Sequence, residues 1–293
     1  MKGSNMSNVK NVREEKNKIE KRTLYLVATP IGNLADLSER AVKVLSEVDF
    51  IAAEDTRNSA RLLSYLGISK PMVSYFEHNK KGRGEEIVNR IEAGESCALI
   101  TDAGTPAISD PGEDIVALCH EKGIKVSSIP GACACIVALT MSGLPTGRFV
   151  FEGFLSANKS ERRKVLDELK NETRTIVFHE APHKLRATLE DMRVAFGDDR
   201  RISLCRELTK LNEEAVRTTL SCAVEYYKGN EPRGEYVLVV EGASKIEKND
   251  FSDMSIEEHV ESYVAMGMSK MDAIKAVAKD RGVPKNVIYK EFI

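Results

Sequence analysis

Short apolar runs and helically spaced apolar residues alternate through the first half of the chain. Residues 24–28 form the first run and break at Thr29-Pro30-Ile31-Gly32-Asn33, after which Ala41, Val44, Leu45 and Val48 repeat at the spacing of one helix face. Further runs lie at 50–53, 72–76, 98–100 and 125–129. Between them Leu62, Leu63 and Leu66 mark a helix stopped by Gly67, Ile87, Val88 and Ile91 one stopped by Gly94, and 115–121 another. Strands alternating with helices predict βαβ units, a largely parallel sheet and the α/β class. Each of the five strands ends in a polar or glycine-bearing loop. Parallel connections set those loops along one edge, where open α/β sheets bind ligands.

The turn-rich SGLPTG at 142–147 restarts the pattern. Apolar runs at 149–154, 175–178, 202–205 and 236–240 alternate with helical stretches at 160–169, at Leu185, Leu189 and Met192, and at 223–227. They predict a second α/β domain. Past Gly242 the chain opens acidic, with Asp250, Asp253, Glu257, Glu258 and Glu261, and then turns basic through Lys270, Lys275, Lys279, Arg281, Lys285 and Lys290. Ser269 caps a helix in which Ile274, Val277 and Ala278 align, Gly282 breaks it, and Pro284 starts another with Val287 and Ile288 facing back, the outline of a helix-turn-helix. The predicted division is a charged arm at 1–22, α/β domains at 23–143 and 148–243, and a helical tail at 250–293.

Composition narrows the function classes. With 293 residues, 42% hydrophobic and 30% charged, the chain has room for two domains with real cores. No apolar run approaches the roughly 18 residues of a membrane span. The charged start lacks the apolar segment of a signal peptide, and the residues ahead of Met6 read as an added leader. Six cysteines without a CxxC pair fall mostly in apolar runs, the pattern of buried, reduced thiols in a cytoplasmic protein. A net charge of −2 excludes a generally basic nucleic-acid binder and leaves local patches open.

The stretch LITDAGTPAISDPG, 99–112, holds the chemistry best placed on that edge. Asp102 closes a strand, Gly104 permits close backbone approach, and the prolines stiffen the loop. Neither a G-x-G-x-x-G nor a G-x-x-x-x-G-K-[ST] run is present, which disfavours a dinucleotide or a nucleoside triphosphate. Glu54, about 20 residues past Gly32, stands where a ribose-binding acid would. HEAPH, 179–183, spells the zinc-helix pattern H-E-x-x-H. Pro182 belongs at a helix's first position, so His179 lies outside the helix and the two histidines cannot share a face; no metal is expected.

The runs LYLVATPIGNLADLSERA, AAEDTR, TDAGTPAISDPG, IPGACA, SGLP, FEGFL, FHEAPHK and RELTK, in this order over 24–242, resemble the tetrapyrrole methylase family. ATPIGN and EDTR are similar to its RNA-modifying branch rather than to its corrin-modifying members. The resemblance implies two α/β domains with S-adenosylmethionine in the cleft between them, a cytoplasmic homodimer, no metal, and 16S rRNA or the small ribosomal subunit as partner. The reaction implied is methylation of a cytidine ribose 2′-hydroxyl in the decoding region. Carried over by motif, Pro30 lies near the methionine part of the cofactor, and Thr105, Ile108, Cys133 and Ala134 join Asp102 and Gly104 around it. Two runs depart from the family's form: Ala132-Cys133 replaces a common Pro-Ser, and FHEAPHK a Tyr-Glu-Ser-Pro-His-Arg, with Glu180 and His183 kept.

A ribose hydroxyl is a poor nucleophile at neutral pH and gains from a base in hydrogen-bond reach. Asp102, Glu54, Glu180 and His183 are the candidates at strand ends. Glu180 is favoured because its strand faces the cofactor loops, with His183 tuning it. Arg57, Lys80, Lys81, Arg162, Arg163, Arg206 and Lys210 are the candidates to hold RNA phosphates. A tetrapyrrole or corrin C-methyltransferase and a non-catalytic RNA-binding assembly protein remain as alternative functions.

Overall fold

A computed structural model describes residues 18–244 and 254–290. Most of the expected arm, and Asp250 and Asp253 of the tail, lie outside the described residues. The chain divides into two compact units, 1–242 and 243–293.

The first unit contains two five-stranded sheets. The first is built from β1 (Thr23–Val27), β2 (Phe50–Ala53), β3 (Met72–Ser74), β4 (Cys97–Ile100) and β5 (Lys125–Ile129) in the order β3-β2-β4-β1-β5. All its pairings are parallel, as the alternation predicts. β1, β2 and β4 are buried on both faces, which is why they read as unbroken apolar runs. Leu24 and Leu26 pack against α3 (Lys80–Glu92) and α4 (Gly112–Glu121) on one face. Tyr25 and Val27 pack against α1 (Glu39–Glu47) and α2 (Thr56–Tyr65) on the other. The adjacent strands β1 and β4 therefore send their connections to opposite faces, which opens a crevice at their C-terminal ends.

The second sheet orders β6 (Phe149–Phe154), β7 (Thr175–Glu180), β10 (Tyr236–Val240), β8 (Arg201–Arg206) and β9 (Glu214–Thr219) as β6-β7-β10-β8-β9. Only β6 and β7 run parallel; β10 is antiparallel to β7 and β8, and β8 to β9. Three helices, α6 (Lys159–Leu169), α7 (Pro182–Phe196) and α8 (Leu220–Gly229), cover one face, where Ile176, Phe178, Leu204 and Leu238 are buried. The other face, with Val177, Cys205, Val237 and Val239, is covered by α5 (Ala134–Met141).

Two elements lie beyond the sequence expectation. β9 carries polar residues at most positions because it is a half-exposed edge strand, and α5, ACIVALTM, shows no polar face because even its exposed position Ile136 is apolar.

In the second unit α9 (Ile256–Ala265), α10 (Lys270–Asp280) and α11 (Lys285–Lys290) enclose Val260, Ala273, Ile274, Val277, Ala278 and Ile288. Ser269 caps α10 by accepting the Asp272 N–H. α9, which acidic composition hid, begins in a reciprocal capping box between Ser255 and Glu258. Val287 does not face back as expected; it is exposed, and Ile288 alone turns inward.

Candidate active site

Three loops of the first sheet are tied together at its C-terminal edge. After β1, Thr29 exchanges both backbone hydrogen bonds with Gly104 of the β4 loop, at 2.9 and 3.0 Å. The Thr29 hydroxyl donates to the Thr101 carbonyl at 3.1 Å, and the Thr105 hydroxyl to the Ala132 carbonyl at 2.9 Å. Gly131 lets the β5 loop close on β1, since a Cβ there would stand 2.7 Å from the Ala28 Cβ. The Asp110 carboxylate accepts the N–H groups of Ala107, Ile108 and Gly112 at 3.0, 3.1 and 2.7 Å. That clamp holds Ala107 and Ser109 in the left-handed region, at φ 67° and 64°. Strain of about 1 kcal/mol or more per residue persists only where surroundings enforce it, most often at ligand sites.

These loops form one wall of a cleft of about 770 Å³, within the range of small-molecule sites. Ile31, Glu54, Asp102, Gly104, Thr105, Ile108, Cys133 and Ala134 line that side. Phe154, His179, Glu180, Leu208, Glu235 and Tyr236, from the second sheet and its loops, line the other. Six of the seven expected cofactor residues are thus brought together; Pro30 does not line the cleft, and its neighbour Ile31 does.

The lining is acidic. Glu54, Glu77, Asp102, Asp110, Glu180 and Glu235 border the cleft, and among the described residues no lysine or arginine does. Lys80 lies outside and pairs with Glu77 at 2.8 Å and Asp114 at 2.7 Å; Lys210 likewise pairs with Glu235 at 2.8 Å and Glu207 at 2.9 Å. Glu54 and Asp102 carry the charge left over. Burial first, and then Asp102, Asp110 and Asp55 nearby, push the Glu54 carboxyl above the usual glutamate range. The Asp102 carboxylate accepts the Asn58 amide at 3.1 Å.

The structure corrects the acid–base expectation. Glu180 is 2% exposed and both its oxygens are committed to α7. One accepts the Thr188 hydroxyl at 2.5 Å; the other accepts the Ala181 N–H at 2.8 Å and meets the Lys184 ammonium at 3.1 Å. His183 is exposed on α7 and does not line the cleft. His179 and His183 lie on a strand and a helix respectively, so HEAPH has no zinc-binding face. Among the described residues no three His, Cys, Asp or Glu side chains cluster as a metal site would need.

The residue that sequence reasoning missed is His179. Its neighbours on β7 alternate strictly, with Ile176 and Phe178 on the α7 side and Val177 on the α5 side, and His179 takes the second face, toward the cleft. The ring sits against the edges of Phe151 and Phe154, at 5.1 and 5.3 Å between centroids, and its Nε2 is buried without a hydrogen-bond partner. Burial pushes its pKa down, so the imidazole is neutral at pH 7.

The expected phosphate-binding residues separate as well. Arg162 is corrected: it is 5% exposed, and its guanidinium is held by Asp191 at 2.6 and 2.9 Å and by the carbonyls of Ser156 and Ala157. It joins α6 to α7 and presents nothing to a nucleic acid. Arg163 shares Asp191 but is half exposed, and Arg206 pairs with Glu214 at 2.8 Å. Arg57 and Lys81 are exposed.

A doubly wound sheet joined to a mixed sheet around an acidic cleft is a methylase architecture of one kind, and the family model described as Tetrapyrrole (Corrin/Porphyrin) Methylases matches residues 23–223. The chain belongs to that family. It is 46% identical over 266 residues to the ribosomal RNA small subunit methyltransferase I of Synechocystis, an alignment covering 91% of this chain and 95% of the relative. It is 48% identical to the protein of the same name in Halalkalibacterium halodurans, covering 92% and 94% of the two chains. Among solved structures, diphthine synthase matches 75% of this chain and 90% of its own with a TM-score of 0.58 and 15% identity. The cobalt precorrin-4 methyltransferase CbiF matches 75% and 95% with a TM-score of 0.57 and 16% identity. At such identities these two share the fold.

Proposed function

We propose that this chain is an S-adenosylmethionine-dependent methyltransferase of ribosomal RNA, and that its acceptor is the 2′-hydroxyl of a cytidine ribose in the decoding region of 16S rRNA. The observation that carries the reading is the charge of the cleft: several carboxylates and no lysine or arginine on its lining suit a cationic ligand. When bound, S-adenosylmethionine supplies a methyl group already activated by its sulfonium. Glu54 and Asp102 would offset that positive charge, and the clamped main chain of the 101–110 loop, with Thr105 and Ala134, would hold the ligand. Holding donor and acceptor in line supplies a large part of the acceleration.

On the acceptor side His179 offers the only cleft-facing imidazole among the described residues. With its proton on Nδ1, Nε2 accepts the ribose hydroxyl's hydrogen bond and directs the oxygen toward the methyl. The same acidic lining opposes a polycarboxylate tetrapyrrole and would keep RNA phosphates outside the cleft, on Arg57, Lys81, Arg163, Arg206 and Lys210. In the tail, Tyr289 and Met271 sit in an apolar groove bordered by Lys275, Lys285 and Lys290, an arrangement that suits stacked bases with phosphates alongside. A homodimer working in the cytoplasm completes the reading; among the described residues no helix is long and apolar enough to cross a membrane.

The test is tritiated methyl transfer to naked rRNA, assembled small subunits and a tetrapyrrole, side by side. Label on ribose in an RNA-containing arm alone is expected. Label on the tetrapyrrole overturns the substrate, and RNA binding without transfer in any arm makes the chain an assembly protein.

A further inference from the structure

Two thiols meet at the floor of the cleft. Cys133 is the N-cap residue of α5 and lines the cleft, while Cys135, two residues further on, is buried among Ala138, Val177 and Val237. Their sulfurs are 3.4 Å apart, already in contact, whereas a disulfide needs about 2.05 Å. None of the other described cysteines has this geometry: Cys97 and Cys205 are buried in the sheets, Cys119 is buried in α4 and Cys222 is exposed on α8.

We propose that Cys133 and Cys135 form a peroxide-sensitive pair in the cofactor cleft, oxidised by hydroperoxides to an intramolecular disulfide that excludes the cofactor. The consequence for binding rests on the reading of this cleft as the S-adenosylmethionine site; the chemistry of the pair does not. The hydrogen bond between the two sulfurs and the Ile136 N–H at the start of α5 both act to lower the Cys133 thiol. Together they outweigh burial and bring the Cys133 thiol down to about 6. The same contact, with burial, pushes Cys135 up, so the cleft-facing member is the more acidic of the two. That is the order an oxidation needs, since the thiolate is the nucleophile.

In the first step the Cys133 thiolate attacks the distal oxygen of the hydroperoxide. A sulfur–oxygen bond forms, the oxygen–oxygen bond breaks, and the leaving alkoxide or hydroxide takes a proton from solvent. Cys133, oxidised by two electrons, becomes a sulfenic acid. In the second, Cys135 attacks that sulfur; the sulfur–sulfur bond forms, the sulfur–oxygen bond breaks, and hydroxide leaves with the Cys135 proton as water. The bond draws Cys133 from the cleft wall toward the core and alters the turn that carries Ala132, whose carbonyl anchors Thr105. The cofactor side of the cleft is then no longer the shape its ligand requires. A reducing thiol reverses the change.

The full-length protein, in a Cys222→Ser background, is treated with hydrogen peroxide at pH 7 and mapped by peptide mass spectrometry without cofactor. The expected product is a peptide spanning 133 and 135 that is two hydrogen atoms lighter and returns to its starting mass with dithiothreitol. Calorimetry with S-adenosylhomocysteine then shows at least a tenfold loss of affinity, restored by reduction. In Cys135→Ser the same treatment leaves oxygen on Cys133 and no disulfide; Cys135→Ala serves if that protein folds poorly. Cys133→Ser shows no peroxide-dependent loss relative to its own untreated affinity. Absence of the linked peptide overturns the pair itself, whatever binds the cleft. A linked peptide with unchanged affinity for a ligand that does bind overturns the exclusion. A linked peptide in a protein that never binds S-adenosylhomocysteine instead overturns the cofactor reading and the exclusion with it, and leaves the chemistry of the pair standing.

Discussion

Burial raises the free energy of a charged carboxylate, and in this cleft Glu54 and Glu180 answer that in different ways. Glu180 is compensated by three donors of α7, so its charge serves the fold. Glu54 has the 3.5 Å approach of the Asp102 N–H and is otherwise surrounded by acids. Glu180→Gln is therefore expected to weaken the α7 contact by about 1–3 kcal/mol, a fall of several degrees in melting temperature at about 2–4 °C per kcal/mol, with kcat within about threefold of the parent. A kcat lowered about a hundredfold in a protein of unchanged melting temperature contradicts the structural assignment. For Glu54 the sign is set by its raised pKa. A bound cation favours the carboxylate and lowers that pKa, so binding releases a proton wherever the free site is protonated. Cofactor affinity should then fall as pH drops from 7 through the window above 4.5, and Glu54→Gln should flatten that slope and bind more weakly at pH 7. Calorimetry across this range decides; a flat profile in the parent removes Glu54 from the site. The sequence placed Glu180 at the right edge of the right sheet. Alternation along TIVFHE carried the further information that Glu180 shares a face with Phe178 and that His179 shares one with Val177, and it is readable only once the extent of β7 is fixed.

Among elements, the loop from β4 to α4 is held more firmly than its glycines and prolines imply. Asp110 bonds three of its N–H groups, and the Thr29–Gly104 bridge pins its start. Gly104 sits at φ 87°, where a β-branched residue is a steric outlier, and its Cβ would already stand 3.5 Å from the Ile31 Cγ2. Gly104→Val is expected to lower S-adenosylhomocysteine affinity more than tenfold by calorimetry while circular dichroism stays native, because the extra methyl groups point into the site. Unchanged affinity in a folded variant places the cofactor elsewhere. The parallel sheet and its edge of loops were legible because every strand there is apolar and every loop polar. β9 and α5 were not: an edge strand need not alternate cleanly, and a helix whose exposed face also carries an apolar residue, Ile136, shows no period.

Among the described residues of the whole molecule, acidic side chains line the cleft, while the basic groups lie off its lining and on the tail unit. RNA affinity is expected to divide the same way. Deleting 250–293 should raise the KM for RNA severalfold, most at low salt where phosphate contacts contribute most, and leave the Kd for S-adenosylhomocysteine unchanged. Loss of solubility, or a change of oligomeric state by light scattering, makes the tail a structural element instead. The Lys/Arg excess past Gly267 was visible in the sequence. That Tyr289 and Met271 share a groove with three of those lysines was not, because it depends on the angle between α10 and α11.

α5 also bears on how this chain can be divided. It follows the fifth strand of the first sheet directly, so by sequence it belongs to the first half, yet the face it covers belongs to the second. A cut in the turn at 142–147 would leave one fragment with an apolar rod bared to water and the other with the uncovered side of its sheet, at Val177, Val237 and Val239. Neither piece is a module. Exchanging halves between two such proteins transplants the wall of one room with the floor of another, so graftable acceptor specificity is confined to segments that spare α5 and the strands under it.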